Sequence, residues 1–176
     1  PASGTGAPVA AVARPVAGCP VFPVASWWHA DVSDLPVHRR SDAWLRHMSP
    51  SSRLHPDFGD AFGEQRVPYG IPVTVVDGDH PTVRVRFEFA DESDDVRYPL
   101  GRDTQIEGGR SSGGDRHAIV VDRSTCRLHE LWRTRQVDGR WRAGSGAVWD
   151  LRSNALRPRG WTSADAAGLP ILPGLL

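Results

Sequence analysis

Two pairs of side chains in this sequence have the types and setting for acid/base work. Glu107 and His117 flank a stretch that opens with Gly108 and Gly109, with Arg116 beside the imidazole. Glycines there let a ligand approach the backbone closely, a carboxylate next to an imidazole can shuttle a proton, and Arg116 would help hold the substrate. The plainer reading is a solvated Glu107 and an ordinary strand histidine. Glu130 sits among Leu128, Leu131 and Trp132 and is followed two turns of chain later by Asp150, next to Trp149. A carboxylate in apolar, aromatic surroundings holds its proton to higher pH, and two carboxyl groups about 5 to 10 Å apart suit glycoside hydrolysis. His129 and Glu130, as strand neighbours, point to opposite faces. Asp150 paired with Arg152 is the structural alternative. Trp132, Trp141 and Trp149 fall on successive strands and offer flat apolar surfaces for sugar rings, although most tryptophans in a chain of this size belong to the core.

Other chemistries find no support in the residues. There is no Gly-rich phosphate loop ending in Lys, no Gly-x-Gly-x-x-Gly, no nucleophile elbow around Ser145, and no His or Cys spacing of a metal site. The acids Asp91, Asp94 and Asp95 could offer hard oxygens to Ca²⁺, as could Asp77 with Asp79, but neither group follows a calcium-loop pattern and a solvated charge run is the usual outcome. His55 and Asp57, around Pro56, would position a ligand or simply shape a turn.

These groups need strands to hold them. Val83, Val85, Phe87 and Phe89 alternate with Arg84, Arg86 and Glu88, so Thr82–Ala90 reads as a half-buried strand. Val73–Val76 precedes it, and residues 77–81 supply turn chemistry, which predicts a hairpin. His117–Asp122 and Cys126–Thr134 form a second strand, turn, strand unit. After Asp138-Gly139, Arg140–Ala143 and Ala147–Leu151 continue it as an antiparallel meander kinked at Gly144-Ser145-Gly146. Helices are short: one from a Ser41 cap to Met48, stopped by Pro50, and one turn and a half over Thr162–Gly168. The long segment Asp91–Gly114 is nearly without apolar residues and reads as a functional or mobile loop.

With 176 residues, 18 Gly, 15 Pro and 39% hydrophobic residues, the chain fits one mostly-β domain, an antiparallel sandwich or jelly-roll portion over residues 19–176. Residues 1–18 read as a flexible leader or linker. Arginine supplies every basic charge, 21 against 21 acids, so the net charge is zero. That gives no electrostatic case for nucleic acid or an anionic membrane, and no apolar run is long enough to span one. Cys19 and Cys126 would close a loop of about 107 residues as a disulfide, worth on the order of 4 kcal/mol; two buried thiols are the alternative.

The strings Cys-Pro-Val-Phe-Pro (19–23), Leu-His-Pro-Asp-Phe-Gly (54–59), the run from Asp115 to Leu131 and the run from Trp149 to Ile171 resemble a group of uncharacterised secreted proteins of high-GC, actinobacterial-type bacteria. The resemblance implies export and a chain continuing into further C-terminal strands, and it carries over no catalytic residue. The carboxylates and tryptophans, with the export that the resemblance implies, make the expectation an extracellular, carbohydrate-active enzyme. The alternatives are a module that binds polysaccharide or cell wall without turnover, and a structural secreted protein.

Overall fold

A computed structural model of the chain describes residues 14–48, 51, 61–62, 67–68 and 70–175. Its strands, in chain order, are β1 (Ala61–Phe62), β2 (Val67–Pro68), β3 (Val73–Val76), β4 (Val83–Phe87), β5 (Arg97–Tyr98), β6 (Ala118–Asp122), β7 (Arg127–Trp132), β8 (Arg135–Val137), β9 (Arg140–Ala143) and β10 (Ser145–Asp150). They build two four-stranded sheets, β10-β7-β6-β3 and β5-β4-β9-β8, and a small ribbon of β1 with β2. The mostly-β, sandwich-like architecture is the expected one. Each sheet nevertheless contains one parallel pair, β3 with β6 and β4 with β9, beside its antiparallel pairs.

The parallel pairs arise because two expected connections cross between sheets. β3 and β4 do not form a hairpin: their turn is fixed to the β6–β7 turn instead, where Ser124 Oγ accepts the Gly78 N–H at 2.9 Å and Arg123 pairs with Asp77. Strand β4 then joins the other sheet, its Arg84 and Arg86 exposed and Val83, Val85 and Phe87 half-buried as the alternation requires. The meander β6-β7-β10 forms, but the β8–β9 hairpin leaves it for the second sheet and returns at Gly144. A side chain there would clash: a Cβ on Gly144 would stand 2.3 Å from the Trp132 ring.

Strand β6 is apolar at every position from Ala118 to Val121 because its sheet is covered on both faces. Ala118, Val120 and Leu131 meet Tyr98, Leu100, Ile106 and Trp141 between the sheets. On the other face Ile119, Val121, Leu128 and Trp149 pack under Cys19, Val21, Phe22, Leu151 and Leu172 from the two ends of the chain. The Cys19–Cys126 disulfide, with Cα atoms 5.5 Å apart, ties the N-terminal cover to the start of β7.

Two helical expectations change. The helix α1 (Ser41–His47) has Arg40 as its N-cap, with Ser41 the first residue inside, and buries no side chain. Thr162–Gly168 is a string of turns: Ser163 Oγ accepts the Asp165 N–H at 3.0 Å and donates to Leu169 O at 2.7 Å, so side-chain bonds replace the helical ladder. Asp91–Gly114 is more ordered than a free loop, contributing β5 and the buried Tyr98, Leu100 and Ile106. Leu54–Gly59, including His55 and Asp57, and most of the 1–18 leader lie outside the described residues.

Candidate functional site

The edge where β6 begins and β7 ends is shaped by two arginines in left-handed backbone conformation, Arg116 (φ 56°) and Arg133 (φ 53°). Here the segments pair across the corner, with Arg133 N–H bonded to Asp115 O at 2.8 Å and Thr134 N–H to Arg116 O at 3.1 Å. Non-glycine residues hold such conformations at a cost of order 1 kcal/mol each when surrounding bonds fix them. For Arg116 those bonds are visible: its guanidinium donates to the carbonyls of Thr134 at 3.0 Å, Ser112 at 2.6 Å and Gly109 at 3.4 Å. Arg116 is thus consumed in holding the Gly-rich loop and faces no ligand space.

That loop carries Glu107 to His117. The carboxylate Oε2 lies 2.7 Å from His117 Nδ1 and accepts the His117 backbone N–H at 3.1 Å, while the Glu107 N–H donates to His117 O at 2.9 Å. The pair expected from sequence is therefore formed, its carboxylate locked by two bonds. The other ring nitrogen, Nε2, is 3.3 Å from Ala164 O, a long contact on the side facing a cleft.

The cleft has a volume of about 750 Å³ and runs between this edge and the turns of the C-terminal segment. Its apolar floor and walls come from Ile71, Ile171 and Leu175, with Phe89 and Trp132 as an aromatic side. Trp132 is braced by Gly144, by Arg133 at 5.3 Å over its ring and by its Nε1–H donating to Asp115 at 3.1 Å. Phe89, 45% exposed and 6.3 Å from Trp132, is the ring with open surface. Three carboxylates join His117 in the lining: Glu92, Asp115 and Asp165. Glu92 accepts both the hydroxyl (2.6 Å) and the N–H (3.0 Å) of Thr162, which holds its carboxyl below the ordinary range. Asp165 makes no side-chain hydrogen bond among the described residues.

The other sequence candidates stand elsewhere. Glu130 is fully buried and points toward the C-terminal segment, accepting the N–H groups of Ile171 and Leu172 at 2.9 Å. Burial pushes its carboxyl up to about 7, with the nearby Asp165 charge adding to the shift and the two N–H donors opposing it. Asp150 is exposed at the end of β10. It pairs in register with Arg127 while Ala147 pairs with Glu130, so the two carboxylates are separated along the sheet and lie on opposite faces. They do not converge, and Asp150 instead accepts the Arg152 N–H at 2.9 Å. His129 does face away from Glu130, against Tyr98 between the sheets, where burial drives its pKa down to about 4.

Trp141 and Trp149 are each 5% exposed, one in each core, so they offer no sugar platform. The acidic run is also occupied: Asp94 pairs with the buried Arg157 and accepts the Val148 N–H at 2.8 Å, and Asp95 approaches Arg84 at 3.6 Å. Asp91 is exposed. Asp77 pairs with Arg123, away from Asp79 as a ligand partner. Among the described residues no cluster of three or more His, Cys, Asp or Glu side chains is placed to hold a metal ion.

Asp115, Asp165, Glu92 and Phe89 were not legible as site residues. Asp115 alone carried a signal, since it stands two positions from His117 in the sequence. Comparison of the chain with protein-family models, with curated proteins and with solved structures found no match to any of them.

Proposed function

We propose that the cleft binds a carbohydrate and hydrolyses its glycosidic bond, with His117 as the acid/base group. The observation that carries this reading is the Glu107–His117 pair opening on a cleft of about 750 Å³ whose lining combines an aromatic side with three carboxylates. Aromatic rings meet the C–H faces of sugars and carboxylates accept their hydroxyls. In this reading His117 Nε2 exchanges its long contact with Ala164 O for the glycosidic oxygen and protonates it as the C–O bond breaks. A water molecule adds to the anomeric carbon and gives its proton to Asp115, and Glu107 keeps the imidazole oriented throughout.

The protein is read as exported. Its disulfide is compatible with an oxidising compartment, and no helix among the described residues is long and apolar enough to cross a membrane. Membership of a secreted group of high-GC bacteria, suggested by the sequence resemblance, belongs to the same proposal.

The test is a polysaccharide screen that measures both reducing-end release and pull-down. Release that falls by at least about a hundredfold in His117→Ala supports the enzyme, since general acid/base groups contribute roughly 10²–10⁴ in rate. Pull-down without release would overturn turnover and leave a binding module.

A further inference from the structure

We infer that the sugar bound in this cleft carries free amino groups, a glucosamine-type oligosaccharide in its cationic form. The inference rests on the carbohydrate reading and adds the charge of the ligand. Three carboxylates line the cleft, and among the described residues no Arg side chain does, although the chain has 21 basic residues, all Arg, and zero net charge. The arginines nearest the site are committed elsewhere. Arg116, between Asp115 and His117 in sequence, is turned onto the carbonyls of Gly109, Ser112 and Thr134. Arg133 pairs with Glu88 at 3.2 Å while covering Trp132. Arg157 is buried against Asp94 and donates to Glu92 O at 2.7 Å; its charge also acts on the Glu92 carboxylate, but that carboxylate's hydrogen bonds come from Thr162.

Charges gathered on low-dielectric walls focus their field into the cavity between them. Ile71, Ile171 and Leu175 supply such walls here, so three carboxylates against one imidazole and no lining Arg make the cleft attractive to cations and repellent to uronic, sulfated or phosphorylated sugars. A lone small cation would leave the apolar volume unfilled. An amino sugar satisfies both features: its ring carbons lie against Phe89 and the aliphatic wall, and its ammonium donates three hydrogen bonds to acceptors. Asp165 is the carboxylate with no side-chain partner among the described residues, and we assign the ammonium to it, leaving Asp115 to the attacking water.

The experiment measures binding of the full chain to three soluble hexasaccharides matched in linkage: glucosamine, N-acetylglucosamine and glucose. It is run by calorimetry at a pH where the amines are charged, at low and at high salt. The expected result is at least about tenfold tighter binding of the glucosamine hexamer, a preference that salt weakens and that Asp165→Asn largely removes. Asp165→Asn keeps the side-chain shape, and an unchanged unfolding midpoint would show that the fold is intact. Equal or tighter binding of either neutral hexamer overturns the amino-sugar inference and leaves the carbohydrate reading standing. Binding of none of the three, with the fold intact, overturns both.

Discussion

Replacing Glu130 by glutamine should tilt the dependence of stability on pH, because Glu130 and its neighbour His129 pull that dependence in opposite directions. Glu130 is held at about 7 in the fold against an ordinary 4.5. Between those values the folded protein keeps a proton that the unfolded chain has lost, so stability falls as pH rises, by about 1.4 kcal/mol per pH unit. Across the whole interval the ionised carboxylate costs on the order of 3 kcal/mol. His129 is held at about 4 against 6.5, and between those values the unfolded chain binds the extra proton. Its contribution therefore rises with pH, also by about 1.4 kcal/mol per unit. From roughly pH 4.5 to 6.5 the two slopes cancel, and wild-type stability is nearly flat.

Glutamine resembles the protonated acid: its carbonyl can still accept from Ile171 and Leu172, and no charge is buried. Glu130→Gln should then show only the histidine slope, gaining about 1.4 kcal/mol for each unit from pH 4.5 to 6.5. His129→Gln should show the mirror image, losing stability over the same range. Urea unfolding at half-unit pH steps reads both. A Glu130→Gln profile parallel to wild type would mean instead that Glu130 is already ionised at little cost in the fold.

Three further outcomes follow from the packing. Gly144→Ala should lower stability by about 1–3 kcal/mol, because its Cβ would overlap the Trp132 ring, and should change tryptophan emission together with ligand affinity. Arg157→Met should cost about 3 kcal/mol in urea unfolding, leaving Asp94 without its cation and removing the guanidinium from between Trp149 and Trp161. The double substitution of Cys19 and Cys126 by serine should lower stability by on the order of 4 kcal/mol, and a reductant should do the same to the wild type but leave the variant unmoved.

What could be read from the sequence was local. Strict alternation in Val83–Phe87, the continuous apolar run of Ala118–Val121 and the turn residues between β6 and β7 identified the strands, and the Glu107–His117 pair followed from one acid and one imidazole at the two ends of a Gly-rich loop. What could not be read was long-range. Asp77 and Gly78 make as good a hairpin turn as any by composition, yet Arg123 and Ser124, 46 positions away, capture them and send β4 to the other sheet. Trp141 and Trp149 have the same local pattern as Trp132, and only the stacking of the two sheets decides that they are core. Glu130 looked like an active-site acid for a sound reason, its apolar surroundings, but those surroundings are the C-terminal segment closing over it. Asp165 was legible only as a residue of the short helix expected over Thr162–Gly168, because the turns that carry it into the cleft are held by Ser163 and by Thr162 on Glu92.

Ligand enters beside His117, and a nuclear magnetic resonance titration with the glucosamine hexamer reads that entry residue by residue. It would follow the seven indole N–H signals and the imidazole C–H signals. The resonances of Trp132 and His117 should move together and saturate, while those of Trp141 and Trp149, buried in the cores, and of Trp27 and Trp44, exposed on the N-terminal segment, should stay in place. Saturable shifts at Trp27 and Trp44 with Trp132 and His117 unmoved would contradict entry beside His117.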